Sequence, residues 1–238
     1  MVSNILFLLA SYIAATVATL AGFGSSTLLI PVAIHFMDLT TAVFFVACFH
    51  LFNNLFKIKI FYKKIDRKTF VLFGIPSIAC AFIGARLITV IPVEIIKRFL
   101  AIFLILFSLY SLIRPQFGMK KTAFHALLGG SLSGLLAGLM GLGGAIRSAF
   151  LVAFNLPKEV YIGTSAMIAF VIDVTRIPTY LFTDAVKDAS YYMLLPFLLL
   201  SAYAGVKTGK IFLQRIDQKV FKRIVLVAVL LVGIKLLF

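Results

Sequence analysis

The sequence predicts an all-α integral membrane protein built from two inverted repeats, each a broken, glycine-interrupted re-entrant helix plus three transmembrane helices. Three observations lead there. Of 238 residues, 62% are hydrophobic and 13% charged, whereas a soluble domain carries about 45–50% apolar and about 25% charged residues. Several apolar segments approach the roughly 20 residues needed to cross a hydrocarbon core of about 30 Å. A glycine-rich break recurs near the start of each half of the chain, and each time a short apolar stretch follows it.

The apolar segments run at 3–20, 27–37, 40–56, 70–91, 95–113, 122–140, 145–156, 159–181, 190–206 and 220–238. The first has no charged leader and runs into Gly22-Phe23-Gly24 instead of a small-residue cleavage site, so it reads as a retained helix and not a signal peptide. Segments 27–37 and 145–156 span only about 16–18 Å at 1.5 Å per residue, too short to cross. Both follow glycine breaks, Gly22-Phe23-Gly24-Ser25 and Gly141-Leu142-Gly143-Gly144, which lie 119 residues apart. The same offset carries Asn54-Leu55-Phe56-Lys57 onto Asp173-Val174-Thr175-Arg176. Offsets of 121 and 125 carry Gly84-Ala85-Arg86 onto Gly205-Val206-Lys207 and Lys97-Arg98-Phe99 onto Lys222-Arg223-Ile224. Matches in one order with slowly growing offsets point to a duplicated unit. The expected organisation is one membrane transporter domain over 1–238, with repeat 1 at 1–118 and repeat 2 at 119–238.

Charge decides how the repeats are oriented. The net charge is +15, and fifteen of the 23 Lys and Arg residues fall in three short segments, 57–68, 114–121 and 207–223. No aromatic-interleaved soluble module surrounds them, so cytoplasmic loop bias explains the charge better than nucleic acid does. Four full crossings per half would put the third basic segment opposite the first two. Broken segments that enter and leave by one face leave three crossings per half and bring all three basic segments to one side, with both termini on the other. Loop 57–68 is basic, while its counterpart around Asp184, Lys187 and Asp188 is net acidic, as expected of duplicates that sit upside down.

Non-helical backbone at membrane depth is tolerated only where protein or a polar cavity satisfies its N–H and C=O groups. The half-helices starting near Ser25 and Ala145 would point N–H groups and positive dipole ends toward the bilayer centre, a geometry suited to an anion. The candidate substrate-binding residues are therefore Gly22, Gly24, Ser25, Ser26, Thr27, Gly141, Gly143, Gly144 and Arg147. Arg147 is an ionisable residue inside the second half-helix, where its guanidinium fork suits an oxyanion. The competing readings are close helix packing at the glycines and a structural pair of Arg147 with Asp173. Asn54 with Lys57, and Asp173 with Arg176, form a repeated polar pair on one helical face. Inversion would set the two pairs near opposite membrane surfaces, as gates or proton-coupling groups. The alternative is that Lys57 and Arg176 snorkel to the interface. His50, in the middle of its segment, joins these candidates, whereas His35 and His125 read as structural. Cys48 and Cys80 lie inside apolar segments as small core residues. No hydrolase elbow, zinc-protease motif or Walker loop is present, so an enzyme, a cofactor or a metal site is not expected.

These motifs resemble the TauE/SafE sulfite exporter family, also called the TSUP family. The likeness rests on Ala21-Gly22-Phe23-Gly24-Ser25-Ser26-Thr27-Leu28-Leu29-Ile30-Pro31, on Gly134-Leu135-Leu136-Ala137-Gly138-Leu139-Met140-Gly141-Leu142-Gly143-Gly144 and on Gly163-Thr164-Ser165. It covers nearly the whole chain. The resemblance implies ATP-independent movement of small anions, such as sulfite, sulfoacetate or related organosulfonates, across the prokaryotic plasma membrane. The family pattern often continues the first motif with further glycines, where Ser25 and Ser26 stand here. The expected function is a multi-pass secondary transporter for a small anion, working by alternating access, with proton coupling through Asp173 left open. Its partners are the anion and membrane lipid, with no nucleic acid and oligomerisation left open. An anion channel and a non-transporting membrane scaffold are the other readings.

Overall fold

The computed structural model describes residues 2–22, 24–87, 93–114, 116–140, 143–181 and 189–237, and among these every regular element is helical. The helices are α1 (Val2–Ala21), α2 (Ser26–Ala33), α3 (Leu39–Phe61), α4 (Arg67–Leu87), α5 (Val93–Ile113), α6 (Ala123–Met140), α7 (Gly143–Ala153), α8 (Lys158–Leu181), α9 (Leu195–Arg215) and α10 (Gln218–Lys235). Short 3-10 turns at Tyr62–Lys64 and Ala189–Leu194 lead into α4 and α9.

The helix starts have local causes. Asp38 accepts the Thr41 N–H at 3.1 Å and the Thr41 hydroxyl at 2.6 Å to open α3. Asp66 does the same for α4 through Thr69, both bonds at 3.1 Å, and Asp217 accepts the Val220 N–H at 2.7 Å at the head of α10. Each satisfies a donor that the first helical turn leaves orphaned. The break after α1 is set by Gly22 and Gly24, with φ of +71° and +105°, a region closed to most side chains.

The helices extend further than apolar content alone indicates. α3 runs through Lys57 and Lys59 to Phe61, and α9 carries Lys207 and Lys210, so part of each basic segment is helix and not loop. The first broken segment is shorter than expected: α2 has eight residues, and 34–37 form turns. Apolar side chains point outward on the rim helices, including Ile5, Leu9 and Ile13 on α1 and Phe99, Leu106 and Ile113 on α5. Such side chains suit lipid and would be a liability in water.

Contacts between helices fix their relative directions. Gly205 and Gly209 of α9 lie against Tyr12 and Thr19 of α1 respectively, so α1 and α9 run the same way. α3 also runs with α9, since Phe45 meets Tyr191 just before α9 and Phe56 meets Tyr203 within it. Gly130 sits on Phe73 and Leu139 on Gly84, making α4 and α6 parallel. α4 runs with α8 as well: the Asp66 N–H donates to the Thr164 hydroxyl at 2.9 Å, and Gly74 approaches Ile168. Between the halves, α3 and α8 run in opposite directions, with His50 on Asp173 at one end and Phe61 on Gly163 at the other.

Candidate functional site

The α3–α8 crossing and the adjoining α7 gather buried charge. Among the described residues, the buried acidic and basic side chains are His50, Lys57, Arg147 and Asp173, none more than 6% exposed. His50, Asn54 and Lys57 share one face of α3 at spacings of four and seven residues. His50 Nδ1 lies 2.6 Å from Asp173 Oδ2, and the Asn54 amide nitrogen lies 3.2–3.3 Å from the imidazole nitrogens and 3.5 Å from Asp173 Oδ2. The carboxylate is acceptor-only, so Nδ1 carries the hydrogen in that bond and Nε2 is left as the basic nitrogen.

Asn54 and Asp173 therefore meet, although the sequence sets their pairs toward opposite surfaces. Helices α3 and α8 cross at these positions, which brings Asn54 and Asp173 together. Lys57 is 2% exposed and does not snorkel. Its ammonium turns inward to Ala18 O at 3.1 Å. The Arg147 side chain is also close enough for its charge to oppose that of Lys57.

α1 ends inside the molecule, and its last carbonyls need donors that water cannot supply there. Lys57 serves Ala18 O, Tyr161 donates to Ala21 O at 3.3 Å, and Ser165 donates to Gly22 O at 2.9 Å. Arg147 Nε donates to that same Ser165 oxygen at 3.0 Å. The second half-helix is thereby tied to the break in the first through α8. Gly24 lies directly against His50, since a Cβ there would fall 2.8 Å from Nε2. Ser25 Oγ and both amide atoms of Asn53 are buried without a hydrogen-bond partner within the protein.

The structure thus brings together Gly22, Gly24, His50, Asn54, Lys57, Arg147 and Asp173. Ser25 and Ser26 open α2 next to them, both buried. Gly143 and Gly144 begin α7, but Gly143 packs on α6, where Ser133 donates to its carbonyl at 2.9 Å. The close-packing reading fits Gly143 better than a binding role. Gly141 lies outside the described residues, as do Asp184, Lys187 and Asp188. Thr27 and Arg176 lie in α2 and α8, with side chains outside the described set. Sequence reasoning missed Tyr161 and Asn53 and quoted Ser165 only as part of a motif. Tyr161, Ser165 and Asp173 stand four and eight residues apart on one α8 face, and that polar stripe is the signal that could have found them.

The family model for the sulfite exporter TauE/SafE matches residues 7–236. A protein of Bacillus subtilis (strain 168), described as the probable membrane transporter protein YunE, is 24% identical over 273 aligned positions, which cover 99% of this chain and 98% of that protein. The match extends from α1 to the end of α10, so it takes in both glycine breaks and every residue of the buried cluster. This chain is a membrane transporter that belongs to the TauE/SafE sulfite exporter family.

Proposed function

We propose that the protein is a secondary transporter carrying a small anion of the sulfite, organosulfonate or carboxylate type across a prokaryotic plasma membrane, by alternating access between two inverted repeats, 1–118 and 119–238. The observation that carries this reading is the placement of Arg147 and Lys57, two buried cations, beside the backbone break after α1. Buried cations at membrane depth are costly and mark ion pathways. The partnerless Ser25 hydroxyl and Asn53 amide add donors at the same level. The N–H groups opening α2 favour negative charge as well. Ser26, Thr27 and the glycines Gly22, Gly24, Gly141 and Gly144 complete the proposed binding region, with Gly143 holding α7 against α6. His50, Asn54, Lys57, Asp173 and Arg176 are assigned to gating or proton coupling.

The inverted arrangement is supported by helix directions. α1 and α3 both run with α9, so α2 must return the chain between them, and α6 and α8 both run with α4, so α7 must do the same. α3 opposes α8, which supports two halves lying upside down relative to each other, with rocking of one half against the other around a central site as the corresponding motion.

The test is counterflow of radiolabelled sulfite in proteoliposomes, with sulfoacetate, thiosulfate, sulfate and small carboxylates as competitors. Saturable counterflow supports the carrier. Conductance without saturation or counterflow would replace it with an anion channel, and no flux of any anion would return the scaffold reading.

A further inference from the structure

The His50–Asp173 pair has a role that an anion site alone does not explain. We infer that His50 is the proton site of this carrier: its Nε2 binds one proton when a doubly charged anion is loaded and none when the anion is singly charged. This rests on the anion-carrier reading above.

With Lys57 and Arg147 protonated, the described buried side chains sum to +1 when His50 is neutral, and to +2 when it is protonated, because Asp173 contributes −1. Net charge in a low-dielectric interior is expensive, and the loaded cluster is most stable when anion and protein cancel. A monoanion cancels the first state and a dianion the second. Imidazole is the side chain whose charge ordinarily changes near neutral pH, so it is the group suited to make the adjustment. Asp173 holds Nδ1 at 2.6 Å, which stabilises the imidazolium once Nε2 gains its proton.

Position agrees with this role. Nε2 faces Gly24, where no side chain intervenes between the imidazole and the backbone of the broken segment. A proton there therefore lies beside the region proposed to hold the anion. The other titratable groups of the buried cluster are Lys57 on the same helix, Tyr161 on α8 and Arg147 on α7, with the Arg147 charge acting on both Lys57 and Tyr161, while α2 contributes no ionisable side chain. On the α9 side, the contacts to α3 are Tyr191, Tyr192 and Tyr203 against phenylalanine rings. In transport, an N–H bond forms at Nε2 with a proton from water on the loading face and breaks to water on the releasing face, so no other reactant is consumed.

The test uses anions of fixed charge, because sulfite itself changes protonation near neutrality. Proteoliposomes containing an internal pH dye, first shown to support saturable sulfite counterflow, receive thiosulfate as the dianion or methanesulfonate as the monoanion. The expected result is about one proton entering per thiosulfate and none per methanesulfonate. In His50→Gln, the number of protons entering per thiosulfate should fall to zero however slow the uptake. Equal proton ratios for the two anions overturn the inference, and so does failure of thiosulfate to compete with sulfite. Coupling retained in His50→Gln but lost in Lys57→Met moves the proton to Lys57 and also overturns it. Absence of sulfite counterflow in the wild-type protein overturns the carrier reading itself, and the coupling with it.

Discussion

Ser165 Oγ accepts from Arg147 Nε at 3.0 Å and donates to Gly22 O at 2.9 Å, so one hydroxyl joins the second half-helix to the broken end of α1. Any motion that shifts α7 relative to α1 must stretch or exchange these bonds. A hydroxyl shared between a cation and an unwound carbonyl is thus a structural tie between α7 and the broken end of α1.

Removing the cation should impair function without unfolding the chain. A hydrogen bond to a charged group contributes about 1.5–3 kcal/mol, so Arg147→Gln should lower the kcat/KM of sulfite counterflow by roughly 10- to 150-fold. Arg147→Lys, which keeps the charge but not the fork, should fall between the two. Wild-type counterflow in both variants would remove Arg147 from the site.

The glycines of the first break should not tolerate a methyl group. Gly22→Ala would place Cβ 2.0 Å from the Tyr161 ring at a φ of +71°, and Gly24→Ala would place it 2.8 Å from His50 Nε2 at +105°. Left-handed strain of about 1–3 kcal/mol adds to each clash. Gly22→Ala is expected to lower the melting temperature in detergent clearly. Gly24→Ala is expected to lower transport more than stability, because what it displaces is the imidazole.

Acid should loosen the α3–α4 junction through Asp66. Burial opposes ionisation of this carboxylate, but the Lys121 ammonium and the Thr69 N–H and hydroxyl outweigh it and hold Asp66 below the usual carboxylate range. Its stabilising contribution is therefore complete above the unfolded value, about 3.9, and is lost as pH falls through the lower folded value. Asp66→Asn should weaken the helix cap and flatten the acid limb of a melting-temperature profile; an unchanged limb would show that another carboxylate governs it.

Topology can be read with single cysteines. Lys63→Cys and Lys210→Cys should react with an impermeant maleimide from the same side of oriented membranes. Reaction from opposite sides would contradict the re-entrant arrangement.

Much of this molecule was legible in its sequence. Lipid as solvent follows from 62% hydrophobic residues. The two helix breaks follow from glycine runs, because a chain reversal such as that at Gly22 and Gly24 needs positive φ. Matched motifs raised the expectation of a duplication, and Arg147 was a candidate because a charge inside an apolar segment is rarely accidental. Other elements were misjudged for a physical reason: hydropathy marks where apolar content stops, whereas α3 and α9 continue until capping and turn chemistry stop them, at Phe61 and Arg215. Lys57 was placed with a loop on charge alone, yet it is buried on Ala18.

What the sequence determined by itself is whatever depends on local composition and spacing: the membrane environment, the helix breaks at the glycines and the identity of the charged residues within apolar segments. What only the tertiary structure decided is which of those residues meet. Asp173 binds His50 and not a surface partner, Ser165 bridges Arg147 to Gly22, and Asn54 reaches its own counterpart 119 positions away. Those meetings arise where antiparallel α3 and α8 cross, and a crossing is set by packing between helices far apart in the chain, which no local pattern encodes.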